Sequence, residues 1–89
     1  MEVLLTRAAA RQLDALSDPI HGRVHRILER LTRWPAVSGA KALSGRLAGH
    51  WRIRTGDYRV QFCIEGRSVV VEKIAHRDRF YQDQDQDGD

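Results

Sequence analysis

From His50 to His76 the chain reads as three extended runs, HWRIR, DYRVQFCIE and SVVVEKIAH, separated only by Thr55-Gly56 and Gly66-Arg67. Glycine-containing dipeptides between alternating apolar and polar residues close β-hairpins. The C-terminal half is thereby committed to a three-stranded antiparallel meander, and whatever precedes it has to pack on that sheet. Side chains alternate across a strand, so Trp51, Ile53, Tyr58, Val60, Phe62 and Ile64 share one face, and Arg52, Arg54, Arg59 and Gln61 share the other. The first set predicts a buried face and the second a cationic one. A turn centred on Thr55-Gly56 sets Arg52 opposite Arg59 and Arg54 opposite Asp57. Like charges directly opposite cost a sheet some tenths of a kcal/mol up to about 1 kcal/mol, so a chain that pairs two arginines points to an anion between them. The register of VVVEKI stays open, because two-residue and three-residue turns at Gly66-Arg67 put opposite side chains on the core face.

Upstream of the meander the pattern is helical. EVLLT (Glu2 to Thr6) reads as a first strand, with Thr6 able to cap the helix RAAARQLDAL, whose Ala9, Leu13 and Leu16 fall on one side. Asp18-Pro19 supplies a cap residue and a proline at the first helical position. A second helix is expected from there to about Trp34, ending at Pro35, with Val24, Ile27, Leu28, Leu31 and Trp34 as its buried stripe. Arg23, Arg26, Arg30 and Arg33 form its other side, read as a solvated face or a second anion-facing surface. The glycine-bearing stretch AVSGAKALSGRLAGH is read as a linker into the sheet. The sum is an α+β domain of order β-α-α-β-β-β, an antiparallel sheet with two helices on one face, spanning residues 1–82.

Charge sharpens the functional reading. Residues 83–89, DQDQDGD, carry four aspartates and no base, and are expected to be a disordered acidic tail. Without those four, 15 basic residues face 8 acids, a net charge near +7 on the folded part. Thirteen of the 15 are arginine, whose planar fork suits two-point contact with phosphate. Such a body points to nucleic acid or an acidic protein partner. No apolar run approaches the roughly 20 residues of a membrane span, and the N-terminus lacks the pattern of a secretory signal, so a cytoplasmic location is expected. The lone Cys63 agrees with that, since one cysteine is expected neither to close an internal disulfide nor to complete a zinc site. His21 and His25, four apart on a helix, have no third ligand near them in sequence. After the last strand AHRDRFY adds His76, Arg77, Arg79 and Tyr81 near the cationic edge. Arginine neutralises phosphate, tyrosine stacks or donates, and histidine moves protons near neutral pH, a set suited to an RNA phosphodiester.

The run LSGRLAGHWRIRTGDYRVQF, followed about ten residues later by VVVEKIAHRDRFY, resembles the RelE branch of the RelE/ParE superfamily, the toxins of type II toxin–antitoxin pairs. The resemblance covers nearly the whole chain, in size, element order, hairpin motif and closing H-R-x-x-x-Y. It implies a small basic endoribonuclease that cuts messenger RNA, typically on the ribosome, and that a cognate antitoxin with an acidic or amphipathic segment blocks by wrapping it. The implied chemistry needs no metal or cofactor: the ribose 2′-hydroxyl attacks the adjacent phosphate, leaving a 5′-hydroxyl and a cyclic or 3′-phosphate. Carried over by position, Arg59, Arg77, Tyr81 and His76 are the implied catalytic residues, and Arg52, Arg54 and Arg79 the RNA-binding ones. The best-known RelE pattern has lysines where this chain has Arg52 and Arg54. Arginine stays protonated throughout the accessible range, so these two hold phosphate, and proton transfer falls to His76 and Tyr81. The rival implied by the other branch is a ParE-like inhibitor of DNA gyrase, without the Arg and Tyr set; a third reading is a non-catalytic module that binds an antitoxin or nucleic acid.

Overall fold

A computed structural model describes residues 1–80. Tyr81 and the acidic tail lie outside the described residues. Strand β1 (Glu2–Leu5) leads into helices α1 (Arg7–Asp14) and α2 (Ile20–Leu31), then a short strand β2 (Lys41–Ala42) and a 3-10 turn at Gly45–Leu47. Strands β3 (His50–Thr55), β4 (Tyr58–Glu65) and β5 (Ser68–His76) follow, and helix α3 (Arg77–Phe80) comes last. The five strands form one sheet in the order β1-β5-β4-β3-β2. The meander is antiparallel as the alternation requires, but β1 runs parallel to β5, so the sheet is mixed. Part of the expected linker is strand β2, which pairs with β3 through Lys41↔Arg52 and Ala42↔Trp51.

The first hairpin turn is Gly56-Asp57, not Thr55-Gly56, and this moves the register by two. Arg54 stands opposite Arg59, Arg52 opposite Gln61 and Trp51 opposite Phe62. The expected pairs Arg52–Arg59 and Arg54–Asp57 are therefore not formed. Glycine takes the first position of both two-residue turns, with φ +58° at Gly56 and +60° at Gly66, a region side chains with a Cβ rarely enter. A shift of two leaves every side chain on its expected face, whereas a shift of one would have reversed them. The second turn is also two residues long, pairing Glu65 with Ser68. A bulge then makes Glu72 the extra residue between the pairs Phe62↔Val71 and Gln61↔Lys73. Val69 and Val71 before the bulge and Ile74 after it all reach the core, which strict alternation would forbid.

Both helices lie on the apolar face. Ala9 of α1 and Val24, Ile27, Leu28 and Leu31 of α2 are buried against Ile53, Val60, Phe62, Val69, Val71 and Ile74. Each fully buried aliphatic or aromatic side chain of this kind contributes about 1.5–3 kcal/mol. Thr6 caps α1 as its position implies, its Oγ1 accepting from the Ala9 N–H at 3.1 Å. The same hydroxyl donates to the carbonyl of Glu72 at 3.3 Å, tying the cap to the bulge. Gln12 of α1 accepts the Ile74 N–H at 2.7 Å, past the point where β1 ends and can no longer pair with β5. Helix α2 is shorter than expected at both ends. It starts at Ile20 with no side-chain cap from Asp18, because the carbonyls of Ser17 and Pro19 already accept from His21 and Arg23. At the other end Arg33 and Trp34 bond three residues back instead of four, to Arg30 and Leu31. Trp34 thereby leaves the helix and packs edge-on against Trp51 and Phe62, with ring centroids 4.9 and 5.2 Å apart.

Candidate functional site

The face away from the helices is cationic, but it is not an open surface. Across four strands a row of partners runs Lys41, Arg52, Gln61, Lys73, and beside it a second row runs Arg54, Arg59, Ala75. Arg52, Arg59 and Gln61 are buried, while Arg54 is exposed. Lys73 donates to the carbonyl of Phe80 at 2.8 Å and lies 5.2 Å from the centre of its ring, so Phe80 packs on this face as well. Lys41 and Lys73 belong to the cationic rows although sequence reasoning passed over both. The signals were present, in Lys73 if the bulge in VVVEKI had been recognised and in Lys41 if KA had been read as a strand.

Arg59 folds back on its own turn. One terminal nitrogen donates to the carbonyls of Gly56 at 3.2 Å and Tyr58 at 3.3 Å, while its Nε is buried and finds no partner among the described residues. A buried donor left without an acceptor costs about 1–3 kcal/mol, and Arg54 directly opposite adds like-charge repulsion. An anion beside the turn would relieve the repulsion.

The histidine and the C-terminal arginines sit differently from the sequence expectation. His76 pairs with Tyr58, one position beyond Arg59↔Ala75, and so projects toward the helices and not onto the cationic face. Its ring meets Tyr58 edge-on at 5.4 Å. His76 Nδ1 accepts the Asp78 N–H at 3.2 Å, which leaves Nε2 to carry the proton of the neutral ring, 4.0 Å from Asp57 Oδ2. Arg79 lines a shallow pocket of about 330 Å³ on that helix side, with Gln12, Leu16, Tyr58, Ile74 and His76 among its walls. His76 and Arg79 therefore share the end of the sheet with the arginines but lie on its helix side, not on the cationic face. Strand alternation continued past the Glu72 bulge puts every later residue on the opposite side from a simple count.

Arg77 stands between the two clusters. Its backbone N–H donates to the Asp57 carbonyl at 2.6 Å, and its Nε lies 4.0 Å from the Asp57 carboxylate and 3.8 Å from that of Asp78. The side chain is 58% exposed. Asp57, expected to pair with Arg54, instead sits between Arg77 and His76. Arg23 of α2 also reaches this end, its guanidinium about 3.9 Å from where a Cβ on Gly56 would lie. Cations from α2, β3, β4 and α3 thus ring the Gly56-Asp57 turn. Tyr81, the remaining sequence candidate, lies outside the described residues.

Cys63 is not built to act as a nucleophile. Burial, then the charges of Glu72 and Glu65, push its thiol up to about 11 from 9.0. At pH 8 a shift of this size lowers the thiolate fraction about 100-fold. Alkylation of Cys63 by iodoacetamide in the folded, metal-free chain is therefore expected to run about 100-fold slower than that of an exposed cysteine peptide, followed by mass spectrometry. A rate near the peptide's would contradict the enclosed setting.

Comparison with known proteins bears on what this arrangement serves. The family described as ParE toxin of type II toxin-antitoxin system, parDE, matches residues 3–81. The toxin RelE3 from Methanocaldococcus jannaschii is 24% identical over 84 residues, covering 91% of this chain and 96% of that protein. Among solved structures, the toxin-antitoxin complex RelBE2 from Mycobacterium tuberculosis contains a chain 32% identical, with TM-score 0.74 over 85% of this chain and 96% of its own. The RelB-RelE complex from Methanococcus jannaschii matches at TM-score 0.75 and 21% identity, over 89% of this chain and 95% of its own, a likeness of fold.

Proposed function

The chain belongs to the ParE toxin family of type II toxin–antitoxin systems, and from that premise we propose that it is the nuclease kind of toxin, an endoribonuclease cutting messenger RNA at the Gly56-Asp57 end of its sheet. The observation that carries the reading is the pairing of Arg54 with Arg59 at the sheet end where Asp57 holds Arg77. Two opposed arginines and a third tethered beside them form a fixed positive field that a structural hairpin has no use for. An RNA phosphate supplies the missing negative charge.

In the proposed reaction the ribose 2′-hydroxyl attacks the adjacent phosphorus and the 5′-oxygen leaves. Arg59 and Arg77 stabilise the extra negative charge of the phosphorane, where fixed donors are worth most. Arg54 and the buried Arg52 hold flanking phosphate charge. His76, with Nε2 directed at Asp57, lies at the rim on the helix side, so it serves the leaving oxygen or a proton relay through Asp57 and does not sit under the phosphate beside Arg59. Tyr81 keeps the role the resemblance implies, as a stacking or donating group, and Arg79 that of an RNA contact at the same rim. By analogy with the antitoxin complexes of its relatives, the partner that silences the chain is a cognate antitoxin bearing an acidic or amphipathic segment. Among the described residues no helix is long and apolar enough to cross a membrane.

The family is that of the ParE toxins, so inhibition of DNA gyrase is the second reading. Expressing the chain, mapping new RNA 5′ ends and assaying supercoiling separates the two. Cuts bearing 5′-hydroxyls within translated codons support the nuclease; loss of supercoiling with intact RNA overturns it. The arginine pair offers a finer test. Arg54→Lys, at an exposed site, is expected to change the cleavage rate by less than about tenfold, or about 1.4 kcal/mol. Arg52→Lys replaces a buried fork with a point charge and is expected to destabilise the fold by about 1.5 kcal/mol or more, read from denaturant midpoints. Equal losses at both positions would show that their difference in burial has no consequence.

A further inference from the structure

His50, Cys63 and Glu72 present three different donors on the sheet face away from the helices, from three adjacent strands. His50 on β3 and Cys63 on β4 are direct cross-strand partners. Glu72 on β5 is the bulge residue. Its Oε1 reaches across β4 to His50 Nδ1 at 2.6 Å and accepts from Gln61 Nε2 at 3.2 Å. One ligand atom from each of the three residues lies within 4.8 Å of the other two, the only such grouping among the described residues. Glu65 stands next to it, Oε2 3.8 Å from Cys63 Sγ. By contrast His21 and His25 stack 6.4 Å apart and gather no third donor.

We propose that His50, Cys63 and Glu72 bind one divalent ion of the zinc class, with Glu65 or water in the fourth position, and that the ion ties β3, β4 and β5 together. The donor set of one imidazole nitrogen, one sulfur and one or two carboxylate oxygens is that of zinc, too soft for magnesium or calcium and too hard for a copper(I) site. With bonds of about 2.0–2.3 Å, tetrahedral ligands lie about 3.3–3.8 Å apart. The present separations, from 2.6 Å up to within 4.8 Å, bracket that spacing. Movements of about 1 Å in side chains alone, Glu72 withdrawing from His50 and Cys63 approaching, complete the tetrahedron.

Two further features fit. The Gln61 bond to Glu72 is the outer support that fixes a ligating carboxylate. The His50 and Glu72 side chains remain 29% and 25% exposed, so an ion has a way in. The ion takes the place of the thiol proton, which leaves to solvent, and no oxidant or reductant is involved. The site is separate from the arginines around Gly56-Asp57 and does not depend on the nuclease reading.

The test uses the full chain, stripped of metal and freed of chelator, titrated with Co²⁺ and then Zn²⁺. One equivalent of Co²⁺ is expected to produce a thiolate-to-cobalt charge-transfer band, which Zn²⁺ displaces and Cys63→Ser abolishes. His50→Ala and Glu72→Gln are each expected to weaken Co²⁺ binding by at least about tenfold, while Arg77→Ala leaves it unchanged. Folding of each variant is checked by circular dichroism. Protection of Cys63 from alkylation by Zn²⁺ in the unmodified chain supports the site even if a variant fails to fold. Absence of the thiolate band and of protection at saturating metal, or binding that Cys63→Ser leaves intact, overturns it.

Discussion

Alanine at Arg77 is expected to lower RNA cleavage by about 10² to 10³ while leaving the fold intact. The magnitude is that of one fixed donor lost from a charge-developing transition state, about 2.7–4 kcal/mol. Intactness follows from exposure: the side chain is 58% exposed and its two carboxylate neighbours stand 3.8 and 4.0 Å away, a screened arrangement worth little to stability. The tie between α3 and the hairpin turn is made by the Arg77 backbone N–H, which alanine retains. Arg59→Ala is expected to remove a similar share of activity with little net change in stability. It deletes two donations to the carbonyls of Gly56 and Tyr58, and relief of the unpartnered buried Nε and of the repulsion against Arg54 offsets that loss. Initial rates of cleavage in a translation extract, beside urea denaturation of the same preparations, read both quantities. Folded Arg77→Ala with undiminished cleavage would remove Arg77 from the reaction, and no cleavage by the unmodified chain would remove the nuclease reading.

Phe62→Ala is expected to destabilise the chain by about 3–5 kcal/mol, the range for truncating a large buried aromatic. Phe62 has no exposed surface, pairs across the sheet with Trp51 and receives the edge of Trp34 at 5.2 Å. Its loss leaves a cavity under Trp34, one of the residues that anchor the chain leaving α2 to the sheet. A domain this small holds only about 5–15 kcal/mol in total, so the variant loses about a fifth or more of its margin and its urea midpoint falls accordingly. Phe62→Leu, which keeps most of the volume, is expected to cost clearly less. A midpoint unchanged in Phe62→Ala would mean that Trp34 and Trp51 close the space without it.

Phe62 and the arginine cluster differ in how far the sequence alone reveals them. Phe62 as core followed from alternation alone, because the period of two is a property of the extended backbone and acts over neighbouring residues. The same is true of the cationic face, of Thr6 as a cap and of the buried stripe of α2. Gly56 announced a tight turn, but the glycine suits either position within it, and the difference of one residue at the turn moved every partner by two. That leaves the faces correct and the pairs wrong: a turn at Thr55-Gly56 sets Arg59 against Arg52, whereas it stands opposite Arg54.

Local patterning thus determined which face of each element before the bulge turns to the helices, and that the charge on the opposite sheet face is largely arginine. The tertiary structure alone decided which charges meet. The Glu72 bulge reverses the side of every later residue in β5 and sends His76 toward the helices, and β1 joins parallel to β5 through contacts between residues more than 60 apart. Burial of Arg52 and Arg59, the capture of Arg77 by Asp57 and the meeting of His50, Cys63 and Glu72 all rest on such distant pairings. The physical reason is that backbone periodicity reports a side chain's direction from its own neighbourhood, while its partner depends on how many residues each turn and bulge consumes, and that count is set by closure and packing of the whole sheet.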